Sequence, residues 1–125
     1  MKKNLASILI TNYNKEKFVK KSVLSALSQD YVSKEIIFFD DNSSDNSLKI
    51  IKNFKNIKIN NNKFKKFLSS PINQINGIIN SFKKSNGEYI FFLDSDDELK
   101  KNKVKNIINN FKKDKKLNII QDKPY

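Results

Sequence analysis

Three short clusters of carboxylate, amide and hydroxyl side chains stand out along the sequence, and each follows directly on an apolar run. They occupy residues 11–14, 40–45 and 94–97. One such cluster alone is typical of a turn or a helix cap, because short polar side chains satisfy free backbone amides there. Three clusters that end three apolar runs favour a shared binding site instead.

The third cluster has the most specific chemistry. Asp94 and Asp96 are separated by one residue, so their carboxylates can share one hard divalent cation. Mg²⁺ or Mn²⁺ held by oxygen ligands keeps open positions for phosphate oxygens. Asp97 adds a third acid, and a bound cation would relieve the repulsion among the three. The sequence therefore predicts a divalent metal site that also accepts a phosphate-bearing ligand.

The composition limits the chemistry further. The 125 residues include no cysteine and no histidine. This excludes disulfides, thiolate and histidine metal sites, cysteine nucleophiles and serine triads with a histidine base. Any catalysis is restricted to carboxylates, hydroxyls, lysines or a bound metal. The length predicts one domain, residues 1–125.

The formal net charge of +12 is the excess of 25 basic residues, all of them lysine, over 13 acidic residues. A lysine-rich nucleic-acid-binding module is one alternative function. Nucleic-acid readers rely on arginine for bidentate contacts, however, so no specific nucleic acid is expected as a partner. No apolar run approaches the roughly 20 residues of a membrane span, which predicts a cytoplasmic protein. Peripheral contact with a membrane stays open.

The polar clusters need a sheet to bring them together, and the apolar patterns predict one. Short apolar runs predict strands at residues 5–10, 35–39, 57–59, 89–93 and 117–120. Because strands and helices alternate, we expect an α/β fold with a mostly parallel sheet flanked by helices. The three clusters would then meet at the carboxyl edge of the sheet, where such folds bind ligands.

Apolar residues at three- and four-residue spacing predict helices between these strands. The first helix spans residues 15–29, and the second begins after an N-cap at Ser44 or Asp45 and continues to Phe54. The third begins near Pro71 and continues to about Ser85. Left-handed capping at residues 86–87 is expected to end it. The same spacing predicts the last helix at residues 104–111.

Three segments, taken in order, resemble the successive signatures of the family-two inverting glycosyltransferases, which have the GT-A fold. They read SILITNYN (residues 7–14), IIFFDDNSSDNS (36–47) and GEYIFFLDSDD (87–97). A lone D-x-D is weak evidence, whereas three signatures in order are strong. The resemblance implies a Rossmann-like GT-A domain that binds a nucleotide-diphosphate sugar, with a UDP-sugar favoured, and a divalent metal.

The resemblance also implies roles for individual residues. Thr11 and Tyr13 would line the nucleoside pocket, with the tyrosine ring against the base. Asp41 would accept a hydrogen bond from the base. Asp94 would lie near the ribose and the metal, and Asp96 would bind the metal. The lysines at positions 63, 65 and 66 are expected in a solvated loop, with contact to the diphosphate as the alternative.

Two departures from the family pattern bear on catalysis. Residues 73–77 read NQING, where the family has an arginine–asparagine pair. None of the acids after Asp97 is a convincing base: Glu98 is too close to the metal site, Asp114 lies among lysines, and Asp122 follows a strand. No catalytic residue is therefore identified.

We accordingly expect a GT-A domain truncated before its acceptor-binding half. Such a chain would bind the donor for inverting transfer to a sugar or lipid-linked acceptor, as in polysaccharide or glycan synthesis, without transferring sugar alone. A partner chain or self-association would cover the open side. A catalytically incomplete nucleotide-sugar-binding module is one alternative. A receiver domain is another, but its acidic pair belongs after the first strand, at residues 11–14 here.

Overall fold

The structure is a computed structural model that describes residues 1–61 and 70–121. Strands and helices alternate along the chain. In chain order they are β1 (Lys2–Asn12), α1 (Glu16–Leu27), β2 (Lys34–Asp40), α2 (Ser47–Ile51), β3 (Ile57–Asn61), α3 (Ser70–Lys83), β4 (Gly87–Asp94) and α4 (Lys103–Lys113).

The four strands form one parallel sheet in the order β3-β2-β1-β4. Thr11, near the end of β1, lies opposite Phe39 of β2 on one side and Asp94 of β4 on the other. Asn12 lies opposite Asp40. The expected α/β fold with a parallel sheet is confirmed. Its register places the three polar clusters at the same edge.

The apolar core joins one face of the sheet to α1, α2 and α4. Val19, Val23 and Ala26 recur at helical spacing along α1 and are fully buried. Removing such side chains from water stabilises the fold by about 0.8 kcal/mol for each buried CH₂ group. Other members of this core are Ile8, Ile10, Ile36, Phe38, Ile51, Phe91, Leu93, Val104 and Ile108.

Helix α3 lies on the opposite face of the sheet with an unusual orientation. Its buried residues are Asn73, Gly77 and Ser81, which follow one another at intervals of four. A Cβ atom at Gly77 would lie 2.6 Å from the Phe39 ring, so the small residue permits a close approach of helix and sheet. The apolar stripe of the helix points outward, with 44–55% of each side chain exposed: Ile72, Ile75, Ile79 and Phe82. The apolar period located the helix, but this stripe is not its sheet-facing side.

Glu35 connects the strands at the edge opposite the polar clusters. Its Oε1 atom accepts hydrogen bonds from the Ser7 hydroxyl and the Asn86 backbone N–H, both at 2.6 Å. Its Oε2 atom is 2.6 Å from the Lys58 ammonium of β3. Burial raises the pKa of Glu35, but the hydrogen bonds from Lys58, Ser7 and Asn86 outweigh this effect and lower the pKa to about 2. The carboxylate therefore stabilises the sheet in its charged form.

The expected left-handed helix cap at residues 86–87 is wrong. Gly87 has no positive φ and begins β4 instead of capping α3. Its lack of a side chain has another reason, since a Cβ atom there would lie 2.7 Å from the Ser7 backbone nitrogen.

The expected strand at residues 117–120 is also wrong. These residues form no strand, and Ile119 is 85% exposed. Within residues 1–61 and 70–121, no strand pairs with this short run to supply ladder hydrogen bonds.

The expected N-cap of α2 is also corrected. Asn46 is the N-cap residue, and α2 ends at Ile51, before Phe54. Asp45 lies one residue earlier and accepts hydrogen bonds from the backbone N–H groups of Ser47 and Glu16, both at 2.9 Å. Burial raises the pKa of Asp45, but the hydrogen bond from the Ser47 hydroxyl, together with these two backbone bonds, outweighs burial and lowers the pKa below its usual value. One carboxylate thus satisfies the first turns of both α1 and α2.

None of the helices within residues 1–61 and 70–121 combines the length and apolar character needed to cross a bilayer.

Candidate donor-binding site

A cleft of about 510 Å³ lies at the edge where the polar clusters meet. The sequence-predicted site residues all line it: Thr11, Tyr13, Asp41, Asp94 and Asp96. They come from the ends of three adjacent parallel strands and the segments that follow them. The structure therefore brings together residues that are as far as 85 positions apart in the sequence (96 minus 11). The lysines at 63, 65 and 66 lie outside the described residues.

Asp94 is held in a defined orientation at the end of β4. Its Oδ1 atom accepts a hydrogen bond from the Thr11 hydroxyl at 3.1 Å and another from the Gln74 side-chain amide at 3.0 Å. Its backbone carbonyl accepts hydrogen bonds from the Ser22 hydroxyl at 3.2 Å and from the Asp97 N–H at 2.9 Å. These contacts fix the turn that follows the strand and position the carboxylate at the cleft.

Asp96 forms an ion pair across the mouth of the cleft. Its Oδ2 atom lies 2.5 Å from the Lys15 ammonium, at the start of α1. The two side chains are 39% and 41% exposed, respectively. The hydrogen bond with Lys15 lowers the pKa of Asp96, and the same bond raises the pKa of Lys15. Both groups are therefore charged at neutral pH and accessible to solvent.

The adjacent acids Asp40 and Asp41 have different surroundings. Asp40 is 1% exposed, and its carboxylate accepts hydrogen bonds from the Asn12 amide at 2.8 Å and from the Ser43 hydroxyl at 2.7 Å. It ties the segment after β2 to the end of β1. Asp41 is 7% exposed and lines the cleft. Asn42 follows with a φ of 58°, a conformation that asparagine tolerates better than most residues. Asp40 is thus a structural acid beside a cleft-lining one.

The sequence of the chain decides its family. A model described as Glycosyl transferase family 2 matches residues 7–124, which is most of the chain and contains all three polar clusters. The chain belongs to glycosyl transferase family 2.

Two curated relatives illustrate the similarity within family 2. An uncharacterized glycosyltransferase of Haemophilus influenzae is 36% identical over 107 residues, covering 84% of this chain and 41% of that protein. The poly-beta-1,6-N-acetyl-D-glucosamine synthase of Staphylococcus epidermidis is 34% identical over 120 residues, covering 94% of this chain and 28% of the synthase. The chain thus spans less than half the length of these two family 2 proteins.

A solved structure has the same fold. The crystal structure of S. aureus TarS 1-349 in complex with UDP-GlcNAc matches with a TM-score of 0.73 and 24% sequence identity, covering 87% of this chain and 31% of the TarS chain. The expected GT-A fold of the family 2 chain is therefore confirmed.

Several residues that line the cleft were not singled out by the sequence analysis. Lys15 belongs to the same short segment as Thr11 and Tyr13, but its partner Asp96 is 81 positions away. Gln74 belongs to the segment 73–77, which was noted only because it lacks the arginine–asparagine pair of the family, and its amide donates to Asp94. That departure from the family pattern was the one signal that could have found it.

The described part of the chain contains no group of three or more histidine, cysteine, aspartate or glutamate side chains suited to hold a metal ion. In this family 2 chain the expected pair, Asp94 and Asp96, can therefore supply at most two carboxylate ligands.

Proposed function

We propose that this chain binds a nucleotide-diphosphate sugar, with a UDP-sugar favoured, together with Mg²⁺ or Mn²⁺, and serves as the donor-binding part of an inverting glycosyltransferase. The observation that carries the proposal is the convergence of Thr11, Tyr13, Asp41, Asp94 and Asp96 on one cleft at the carboxyl edge of the sheet. Family 2 membership and the fold shared with TarS, which was solved with UDP-GlcNAc, support this donor class.

The two carboxylates fit a hard divalent cation of the Mg²⁺ or Mn²⁺ type. Mg²⁺ is commonly bound by one or two carboxylates, with water and substrate phosphates completing the octahedron. Thr11 and Gln74 both donate hydrogen bonds to Oδ1 of Asp94, and these two bonds restrain the carboxylate at the cleft without a metal. A cleft with two acids at its edge and room for a diphosphate matches this mode. When bound, the cation would neutralise the charge on the departing diphosphate.

The other cleft residues have roles in binding the nucleoside. Tyr13 is 44% exposed at the cleft, where its ring can lie against a base. Asp41 is 7% exposed. A hydrogen bond that its carboxylate accepts from an N–H group of the nucleobase would therefore be stronger than the same bond in water. With Asp41 assigned to the nucleobase and Asp94 and Asp96 to the metal, no acid among the described lining residues is left to deprotonate an acceptor. Sugar transfer would therefore require a general base outside these lining residues.

The proposal predicts metal-dependent binding of UDP. Titration calorimetry of the wild-type chain should show UDP affinity that rises when EDTA is replaced by saturating Mn²⁺. In Asp96→Asn, the affinity in Mn²⁺ should fall by about tenfold or more, towards the value in EDTA, because charged contacts to a phosphate-bound cation are lost.

Asp41→Ala provides the matched control. It should weaken UDP binding and leave inorganic diphosphate binding unchanged, because the proposed contact is to the base. Metal-independent UDP binding in both the wild type and Asp96→Asn would contradict the metal assignment. Equal losses of UDP and diphosphate affinity in Asp41→Ala would contradict the role of Asp41.

A further inference from the structure

Hydrogen bonds hold the backbone of Lys15 at the cleft, and its side chain extends across the opening to Asp96. The Lys15 N–H donates to the Ser47 hydroxyl at 3.1 Å, and the Lys15 carbonyl accepts from the N–H groups of Phe18 and Val19 at 2.9 Å. The side chain is 41% exposed and reaches Asp96 only at its tip. Rotation about the side-chain bonds can therefore move the ammonium without disturbing α1.

The charges that line the cleft are unbalanced. Among the described lining residues, Lys15 is the cation, and Asp41, Asp94 and Asp96 are acids. A diphosphate entering this cleft meets three carboxylates and needs compensating positive charge. Gln74 also lines the cleft, but its amide is neutral and contacts Asp94. Lys15 is thus the lining side chain that can supply a positive charge to a phosphate.

Lys15 and a divalent cation would compete for Asp96. The ammonium lies 2.5 Å from Oδ2, and a cation bound to the same carboxylate would lie within a few ångströms of it. Like charges at such a separation repel, and the ammonium has an exposed path away from the carboxylate. Binding of the cation therefore favours departure of Lys15 from Asp96.

We infer that Lys15 exchanges partners during donor binding: it pairs with Asp96 in the donor-free chain, and moves to the diphosphate of the donor when a divalent cation takes Asp96. This inference rests on the proposed function and deepens it by naming the side chain that supplies positive charge to the diphosphate. The exchange keeps Asp96 paired with a positive charge in both states, so the carboxylate is never left uncompensated at the cleft.

The test uses Lys15→Met, which keeps an unbranched apolar stem and removes the ammonium group. Lys17→Met is the matched control, because Lys17 is an exposed lysine two residues away that does not line the donor cleft. Calorimetry would measure MnCl₂ binding to each chain without nucleotide, then UDP and uridine binding in saturating Mn²⁺. Circular dichroism would verify that each variant is folded.

The exchange predicts effects of opposite sign in Lys15→Met. Its affinity for Mn²⁺ alone should rise by about threefold or more, because a competitor for Asp96 is removed, whereas its affinity for UDP in Mn²⁺ should fall by about tenfold. Uridine affinity should not change, and Lys17→Met should match the wild type in every titration.

Two results would overturn the exchange while leaving the proposed function intact. One is a wild-type chain that binds both Mn²⁺ and UDP with Lys15→Met equal to it in both titrations. The other is a parallel loss of UDP and uridine affinity, which would give Lys15 a purely structural role. A wild-type chain that binds neither Mn²⁺ nor UDP would instead refute the proposed function, and the exchange with it.

Discussion

Gly87→Ala should destabilise the chain by about 3 kcal/mol or more, since overpacking at a site that cannot relax reaches the upper end of the usual range. A Cβ atom at this position would lie 2.7 Å from the Ser7 backbone nitrogen and 2.8 Å from the Leu5 carbonyl oxygen. Both are main-chain atoms of the central strand β1, so relief requires β1 and β4 to separate. Separation would also break the hydrogen bond from the Gly87 N–H to the Ser7 hydroxyl.

Urea unfolding at pH 7 measures this effect, with Gly77→Ala as the comparison. The Gly77 Cβ would meet the Phe39 ring, a side chain, and not the backbone. Alanine also gains about 1 kcal/mol over glycine within a helix, which offsets part of the clash. Gly77→Ala should therefore lose less stability than Gly87→Ala. A Gly87→Ala chain as stable as the wild type would contradict the close β1–β4 packing.

The second large effect is acid sensitivity arising from Glu35. Its side chain is 13% exposed, and its pKa is lowered from 4.5 to about 2 in the folded chain. A carboxylate with a lowered folded-state pKa contributes stability at pH values above the unfolded-state pKa. That contribution is lost as the pH falls from about 4.5 to about 2. The shift corresponds to roughly 3 kcal/mol at neutral pH, as an upper value.

The measurement compares unfolding free energies of the wild type and Glu35→Gln between pH 7 and pH 3. The gap between them should be largest at pH 7 and shrink on acidification, because only the wild type loses a charged contact there. Lys58→Met should give an intermediate pH dependence, since the Ser7 and Asn86 hydrogen bonds remain. A gap that stays constant with pH would show that Glu35 does not stabilise the fold through its charge.

Local sequence patterns predicted most of the sheet and the location of the cleft. Apolar runs such as that ending at Ile10 mark buried parallel strands, and parallel strands place their carboxyl ends together. The polar residues that follow each run therefore had to meet. The D-x-D of Asp94 and Asp96 was recognisable because both residues belong to one short segment.

Features that depend on distant contacts were not predictable in this way. The partner of Lys15 is 81 residues away, and nothing local to Lys15 indicates it. The orientation of α3 follows from the fit of Gly77 against Phe39, whereas its hydrophobic period indicates the isoleucine side. Gly87 was interpreted as a helix cap because glycine commonly has that role, while the true reason is a neighbouring strand.

The most direct test of donor and metal binding at this cleft is nuclear magnetic resonance of the ¹⁵N-labelled chain with UDP and substoichiometric Mn²⁺, whose unpaired electrons broaden nearby amide signals. The account predicts broadening centred on Asp94 and Asp96 and extending to Thr11 and Tyr13, with signals of Glu35 at the opposite edge unaffected. Omission of UDP should reduce the effect, and excess Mg²⁺ should reverse it. Broadening centred on the Glu35 edge, or none at the cleft, would contradict the account.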